Sequence, residues 1–260
     1  MAMTEDRMVL ECDGARIAVR RMAGKTPGVV WLGGFRSDMA GTKAETLAGF
    51  CRADGRAFLR HDYSGHGESS GDYREGSISR WLAESLAVLR AFSQGPQVLV
   101  GSSMGGWVAL RMAQELANAG ERERLAGLLL LAPAPDFTSD LIEPNLTEAE
   151  RTQLAEKGWF EEPSQYSDEG NVFTQAFLDD GRANRVLGAP LDPGCPVRIL
   201  QGMADPDVPH GHALKLMDHL ALADTTLTLV RDGDHRLSRP QDLALLQRTL
   251  RQMLDDSVAK

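Results

Sequence analysis

Short apolar runs of strand length alternate with stretches of helical periodicity along most of this chain, and few folds accommodate that alternation. Arg56–Arg60, Val98–Val100, Val197–Gln201 and Thr226–Val230 are each followed by a segment that reads as a helix, as is Val29–Leu32 after a short Gly-rich link; Gly127–Leu131 is a further run of the same kind. Strands feeding helices and returning beside their neighbours give βα units and a mostly parallel sheet with helices on both faces. Met8–Cys12 and Ala15–Arg21 break the rule, because only Asp13-Gly14 separates them. That dipeptide is a strong two-residue hairpin signal, so the sheet is expected to open with an antiparallel pair. Thr42-Lys43-Ala44-Glu45 has the form of a capping box starting a helix to about Ala53. Between Ser77 and Phe92, apolar residues at 78, 81, 82, 86, 89 and 92 have the spacing of an amphipathic helix. Later helices are expected over His210–Leu220 and about 238–255, the last with a buried stripe at 243, 246, 250 and 253.

From Asp136 to Gly194 the rhythm lapses. This acidic stretch holds Pro144, Pro163, Pro190 and Pro193 but also Leu141, Ile142, Leu146, Trp159, Phe160, Phe173 and Phe177. It is too apolar for a linker. Thr147–Glu150 offers a second capping box, so a helical cap over residues 136–194 is expected, inserted in a core of 1–135 and 195–260.

Gly101-Ser102-Ser103-Met104-Gly105 lies between the run Val98–Val100 and the helix-like Gly106–Leu110. A Gly-x-Ser-x-Gly in that setting matches a nucleophile elbow, a sharp turn that lifts the serine hydroxyl above the sheet. Ser103 would also sit at a helix N-terminus, where unpaired N–H groups favour developing negative charge. Ser102 would face the sheet instead.

A serine hydroxyl needs a base, and the base needs an orienting acid. The order Ser, acid, His suits this architecture. Asp205 follows the strand Val197–Gln201, and His235 follows Thr226–Val230. Ser103 is therefore read as nucleophile, His235 as general base and then acid, and Asp205 as the carboxylate fixing the imidazole. Asp207 competes for the last role, although it could simply begin the turn before Val208-Pro209. Two backbone donors must hold the oxyanion; the Met104 N–H and the Phe35 N–H of the Gly33-Gly34-Phe35 loop are chosen. His61 and His66 read as structural or pocket-lining, His219 as a surface residue, and the i, i+2 pair His210 and His212 does not share a helix face. No cofactor and no metal are expected.

Composition closes off other classes. With 28 basic against 37 acidic residues, the net charge of −9 disfavours nucleic acid and anionic lipid. No stretch approaches the 18 apolar residues of a membrane span. Cys12, Cys51 and Cys195 are odd in number and widely spaced, which points to reduced thiols. The first residues lack an apolar signal-peptide core, so a cytoplasmic location is expected.

The elbow with Trp107, Asp205 with Val208-Pro209, and Gly233-Asp234-His235 together resemble the α/β-hydrolase superfamily. More narrowly, several stretches resemble the mitochondrial acyl-glucuronide esterase and palmitoyl-protein thioesterase family of animals and its bacterial relatives. They are Gly41–Ala44, Asp62–Gly65, Gly95–Trp107, Gly158-Trp159 with Pro163-Ser164 and Tyr166-Ser167, and Cys195–Arg198. The likeness runs from about Gly14 to Leu254. It implies an α/β-hydrolase fold and places that family's triad on Ser103, Asp205 and His235. The start of this chain differs from the family in lacking an Arg-rich, acid-poor transit peptide.

The expectation is a serine hydrolase of carboxylic esters or thioesters acting through an acyl-enzyme, with an acyl ester, acyl glucuronide or S-acyl thioester as small-molecule substrate. A hydrolase-fold binding protein or receptor, or a C–C bond hydrolase or peptidase, are the alternatives; Ser103 at the elbow excludes a haloalkane dehalogenase, which needs Asp there. Met104, beside the nucleophile, should line the acyl pocket. Trp159, Phe160, Phe173 and Phe177 could line it or pack within the cap.

Overall fold

Residues 3–164, 170–220 and 222–258 are described by the structure, a computed structural model. Tyr166 and Ser167 lie outside the described residues. The antiparallel opening is present: β1 (Asp6–Cys12) pairs with β2 (Ala15–Met22) in the register Cys12↔Ala15. Asp13 and Gly14 both take positive φ, 45° and 77°. That is the twist a two-residue hairpin needs to follow its strands.

Five strands then supply the parallel part: β3 (Lys25–Leu32), β4 (Arg56–His61), β5 (Gln97–Ser102), β6 (Leu125–Leu131) and, after an insertion, β9 (Val197–Gly202). With the edge strand β10 (Thr225–Val230) the sheet order is β1-β2-β4-β3-β5-β6-β9-β10. All pairings from β4 to β10 are parallel. Alternate side chains go to opposite faces. Val30, Leu32, Leu99, Leu128 and Leu130 join one apolar cluster, and Val29, Trp31, Val98, Val100, Leu129 and Leu131 join the other. Because both faces are covered, these strands read as unbroken apolar runs.

Helices α2 (Ile78–Phe92), α3 (Met104–Asn118) and α6 (His210–His219) cover the first face, and α1 (Thr42–Asp54) and α7 (Pro240–Val258) the second. Leu246, Leu250 and Met253 of the expected α7 stripe are buried together with Leu254, while Leu243 is only half-buried. Ser77 caps α2 by accepting from the Arg80 N–H. The expected box at Thr42–Glu45 does not form. Gly41 is the cap residue without a side-chain bond, the Glu45 N–H reaches the Gly41 carbonyl, and Glu45 is drawn to Arg60 at 2.7 Å. The box at Thr147–Glu150 does form and opens α4 (Glu148–Lys157).

Between β6 and β9 the chain is less purely helical than expected. It holds a π-helical turn, Thr138–Ile142, then α4, and then an antiparallel pair, β7 (Trp159–Glu162) with β8 (Asn171–Thr174), before α5 (Gln175–Ala183). Each strand has only four residues, too few to show period-2 patterning. The fully buried Asp136 carboxylate ties the two ends of this segment by accepting from the Val186 and Leu187 N–H groups, each at 2.8 Å. Across the structure, Trp107 Nε1 donates to the Asn184 carbonyl at 3.0 Å and anchors the same return to α3.

Candidate active site

Ser103 stands between β5 and α3 at φ 54°, ψ −119°. A non-glycine residue in that region carries roughly 1–3 kcal/mol of strain and persists only where its surroundings hold it. Here they do: the Ser103 N–H donates to the Leu131 carbonyl, and the Ser103 carbonyl accepts from the Gly106 and Ala134 N–H groups. Close approach of the backbones explains the flanking glycines. A Cβ at Gly101 would lie 2.3 Å from the Gly105 carbonyl oxygen, and one at Gly105 would lie 2.2 Å from that of Leu32.

Three side chains distant in sequence meet here. His235 Nε2 lies 3.1 Å from Ser103 Oγ, and His235 Nδ1 lies 2.8 Å from Asp205 Oδ2. The loops bearing Asp205 and His235 are bound together, with the Ala204 N–H donating to the Gly233 carbonyl. Four donors converge on the Asp205 carboxylate. Oδ1 accepts from the Asp207 and Val208 N–H groups, and Oδ2 accepts from Gln201 Nε2 at 3.1 Å as well as from His235. Burial pushes the Asp205 pKa up, but the bond to His235, its charge and the two backbone donors outweigh burial and hold it below the ordinary carboxylate range. The carboxylate is therefore ionised at neutral pH, and acceptance is the only role it can play. Asp207, the rival acid, is exposed and supplies its backbone N–H to Asp205.

The loop after β3 runs alongside the serine. A Cβ on Gly34 would sit 3.4 Å from Ser103 Cβ. Met104 is the first residue of α3, so its N–H has no acceptor within the helix. The Phe35 ring is stacked 5.4 Å from Phe173 and 5.6 Å from Phe177, fastening this loop to the segment between β6 and β9.

A cleft of about 810 Å³ opens over these groups, within the range of small-molecule sites. Met104, Phe137, Leu141, Ile142, Phe173 and Val208 give it apolar wall, and Arg36, Ser37, Asp38 and Lys43 with His235, Arg236 and Ser238 give it polar wall. Lys43 Nζ donates to the Arg236 carbonyl at 2.5 Å and joins the two polar stretches. Burial and the Arg236 cation push the Lys43 pKa down to about 8, so it remains charged at neutral pH.

Of the four aromatics considered for the pocket, Phe173 lines the cleft. Phe160 is fully buried, Phe177 packs on Phe35 and Trp81, and Trp159 is 38% exposed beside Lys157. Phe137, Leu141, Ile142 and Gln201 were not anticipated. A glutamine ending an otherwise apolar strand, and apolar residues spaced four and five apart from Phe137, are the signals that could have marked them.

His61, His212 and His219 lie outside the cleft. His61 Nε2 bonds Ser85 Oγ inside the core, His212 Nε2 bonds the Pro135 carbonyl, and His219 is half-buried against the Lys215 carbonyl rather than on the surface. Among the described residues, the atoms of Asp205, Asp207 and His235 lie within 4.8 Å of one another, close enough to hold a cation. Both His235 nitrogens are already engaged, however, and a cation would have to break one of those bonds. No helix among the described residues is long and apolar enough to cross a membrane.

Residues 28–245 match the family model described as alpha/beta hydrolase family. A mouse protein, palmitoyl-protein thioesterase ABHD10, mitochondrial, is 34% identical over 240 residues, 92% of this chain and 79% of the mouse protein. Among solved structures, one from Agrobacterium vitis S4 superposes with a TM-score of 0.92 at 53% identity, covering 97% of this chain and 99% of that one. Mouse alpha/beta hydrolase domain-containing protein 10 superposes with a TM-score of 0.87 at 33% identity, covering 96% and 99%.

The mouse protein and its human counterpart are mitochondrial by name, which overturns the cytoplasmic location expected above. Cys12, Cys51 and Cys195 are free thiols, and more than one compartment keeps thiols reduced, so they could not choose between them.

Proposed function

The chain belongs to the alpha/beta hydrolase family, and we propose that it is a serine hydrolase of carboxylic esters and thioesters, with Ser103, His235 and Asp205 as its catalytic triad. The observation carrying this reading is the unbroken hydrogen-bond chain from Ser103 Oγ through both ring nitrogens of His235 to Asp205.

Ser103 Oγ bonds to the acyl carbon while His235 Nε2 takes its proton. Asp205 keeps the other ring proton on Nδ1, so Nε2 is free to accept. The carbonyl oxygen becomes an oxyanion held by the Met104 and Phe35 N–H groups. The intermediate collapses, and His235 returns the proton to the departing alcohol, sugar or thiol. His235 then takes a proton from water as its oxygen attacks the acyl carbon, and returns that proton to Ser103 Oγ as the bond to it breaks and the carboxylic acid leaves.

The apolar wall suits an acyl chain, and kinship with proteins named palmitoyl-protein thioesterase supports thioesters among the substrates. The test is a comparison of kcat/KM over p-nitrophenyl esters of graded chain length, acyl-CoA, an S-acylated peptide and an acyl glucuronide. Turnover rising with chain length is expected, and activity confined to the acetyl ester would refute the acyl-chain assignment. Leu141→Ala should raise KM for the octanoyl ester about fivefold, the effect of roughly 1 kcal/mol of lost apolar contact. KM for the acetyl ester should stay within about twofold. Equal effects on both esters would remove Leu141 from the acyl pocket. A binding protein on this scaffold would be labelled once and turn nothing over.

A further inference from the structure

The turn that presents the Phe35 N–H carries a strained non-glycine residue. Residues 34–37 form a turn closed by the Ser37 N–H on the Gly34 carbonyl, and Arg36, its third residue, has φ 54°. Positive φ at that position is what a type II turn requires, and glycine is the residue that supplies it without strain. Arginine there costs energy, and relaxing Arg36 to negative φ would disturb the turn and with it the Gly34–Phe35 peptide that carries the Phe35 N–H.

His66 meets the next peptide, Phe35–Arg36. Its Nε2 lies 3.0 Å from the Arg36 N–H, and its Nδ1 lies 3.1 Å from the Ser64 carbonyl. A backbone N–H only donates and a carbonyl only accepts, so the ring is neutral with its proton on Nδ1. Burial, with a contribution from the Arg36 cation, lowers the His66 pKa and favours that neutral form. The ring itself is immobilised edge-on to Trp81 at 5.1 Å, to Tyr63 at 5.7 Å and to Phe35 at 6.3 Å. Tyr63 adds a second tether by donating to the Gly33 carbonyl at 3.3 Å.

We infer that His66 is a positioning residue for acyl transfer: by accepting from the Arg36 N–H it locks the turn that aims the Phe35 N–H at the oxyanion. This rests on the triad and oxyanion roles proposed above. His66 itself touches no reacting atom. Its contribution should therefore appear in kcat, where the oxyanion develops, and much less in KM.

The experiment compares His66→Met with His66→Gln. Both lose the ring, but the glutamine carbonyl oxygen reaches about where Nε2 sits and can accept from Arg36, whereas methionine cannot. Rates on p-nitrophenyl butyrate are expressed per active site titrated with a fluorophosphonate, so loss of folded protein lowers the site count and leaves kcat per site intact. His66→Met is expected to lower kcat per site by about 100-fold, the cost of displacing a catalytic group by about 1 Å and the lower end of that for losing an oxyanion donor, with KM within about threefold. His66→Gln should recover to within about fivefold of the native enzyme. Equal kcat per site in both variants, or a native kcat in His66→Met, overturns the inference. Ser103→Ala run in parallel separates the two levels: if it retains turnover the triad reading itself fails, and if it is inactive while His66→Met is native only the positioning role fails.

Discussion

Ser103→Ala is expected to lower kcat by about 10⁶-fold, the loss seen when the nucleophile of a triad is removed. The loss should fall on chemistry and not on folding. Ser103 is held by backbone bonds to Leu131, Gly106 and Ala134, none of which uses the hydroxyl. The alanine Cβ also occupies the place of the serine Cβ, so the strained φ is unchanged and thermal stability should be close to native. Because the three groups act as a unit, Ser103→Ala combined with His235→Ala should be little slower than either alone. Activity within tenfold of native in the single variant, measured on protein shown to be folded by circular dichroism, would contradict the role given to this hydroxyl.

Asp205→Asn should cost about 10⁴-fold in kcat while leaving the geometry largely intact. The cause lies in the four donors around this side chain. An asparagine has one acceptor oxygen, and the Asp207 and Val208 N–H groups, both fixed in backbone, claim it. The amide NH₂ is then turned toward Gln201 Nε2 and His235 Nδ1, where the native carboxylate accepts. His235 escapes a donor–donor clash only by moving its proton to Nε2, which then donates to Ser103 Oγ and cannot take its proton. The imidazole is held in the wrong tautomer. The same variant loses a stabilising charge. A carboxylate whose folded pKa lies below its unfolded value stabilises the fold above that unfolded value, and the contribution is lost as pH falls through the folded pKa. Urea midpoints should therefore differ between native protein and Asp205→Asn at pH 7 and converge in acid below the ordinary carboxylate range. A kcat within tenfold of native, or a stability difference that persists unchanged into acid, would count against this account.

The βα rhythm was legible because the central parallel strands β3, β5 and β6 are covered on both faces, which forces runs such as Val98–Val100 and Leu128–Leu131 to be apolar throughout. The positions of Ser103, Asp205 and His235 were legible for a related reason. Each follows the end of a strand, and parallel strands deliver their C-terminal ends to one rim of the sheet. What escaped was decided by tertiary contacts. β7 and β8 are four residues each, and Thr42 lost its capping role to Gly41 while Glu45 turned to Arg60. Gln201 bonds the Asp205 carboxylate and the Val208 carbonyl, and His66 bonds the Arg36 N–H thirty residues away, contacts that no periodic spacing in the sequence encodes. The location was misread because the lack of a secretory signal core and the reduced thiols it was read from do not distinguish the cytoplasm from other reducing compartments.

The central claim is that one hydroxyl, at 103, becomes acylated because His235 takes its proton. It is tested most directly by intact-mass analysis and peptide mapping after brief exposure to a fluorophosphonate and to p-nitrophenyl butyrate. The expected result is a single adduct on Ser103, formed at least about 10³-fold more slowly in His235→Ala. An adduct on another residue, or labelling of Ser103 at the native rate without the imidazole, would contradict it.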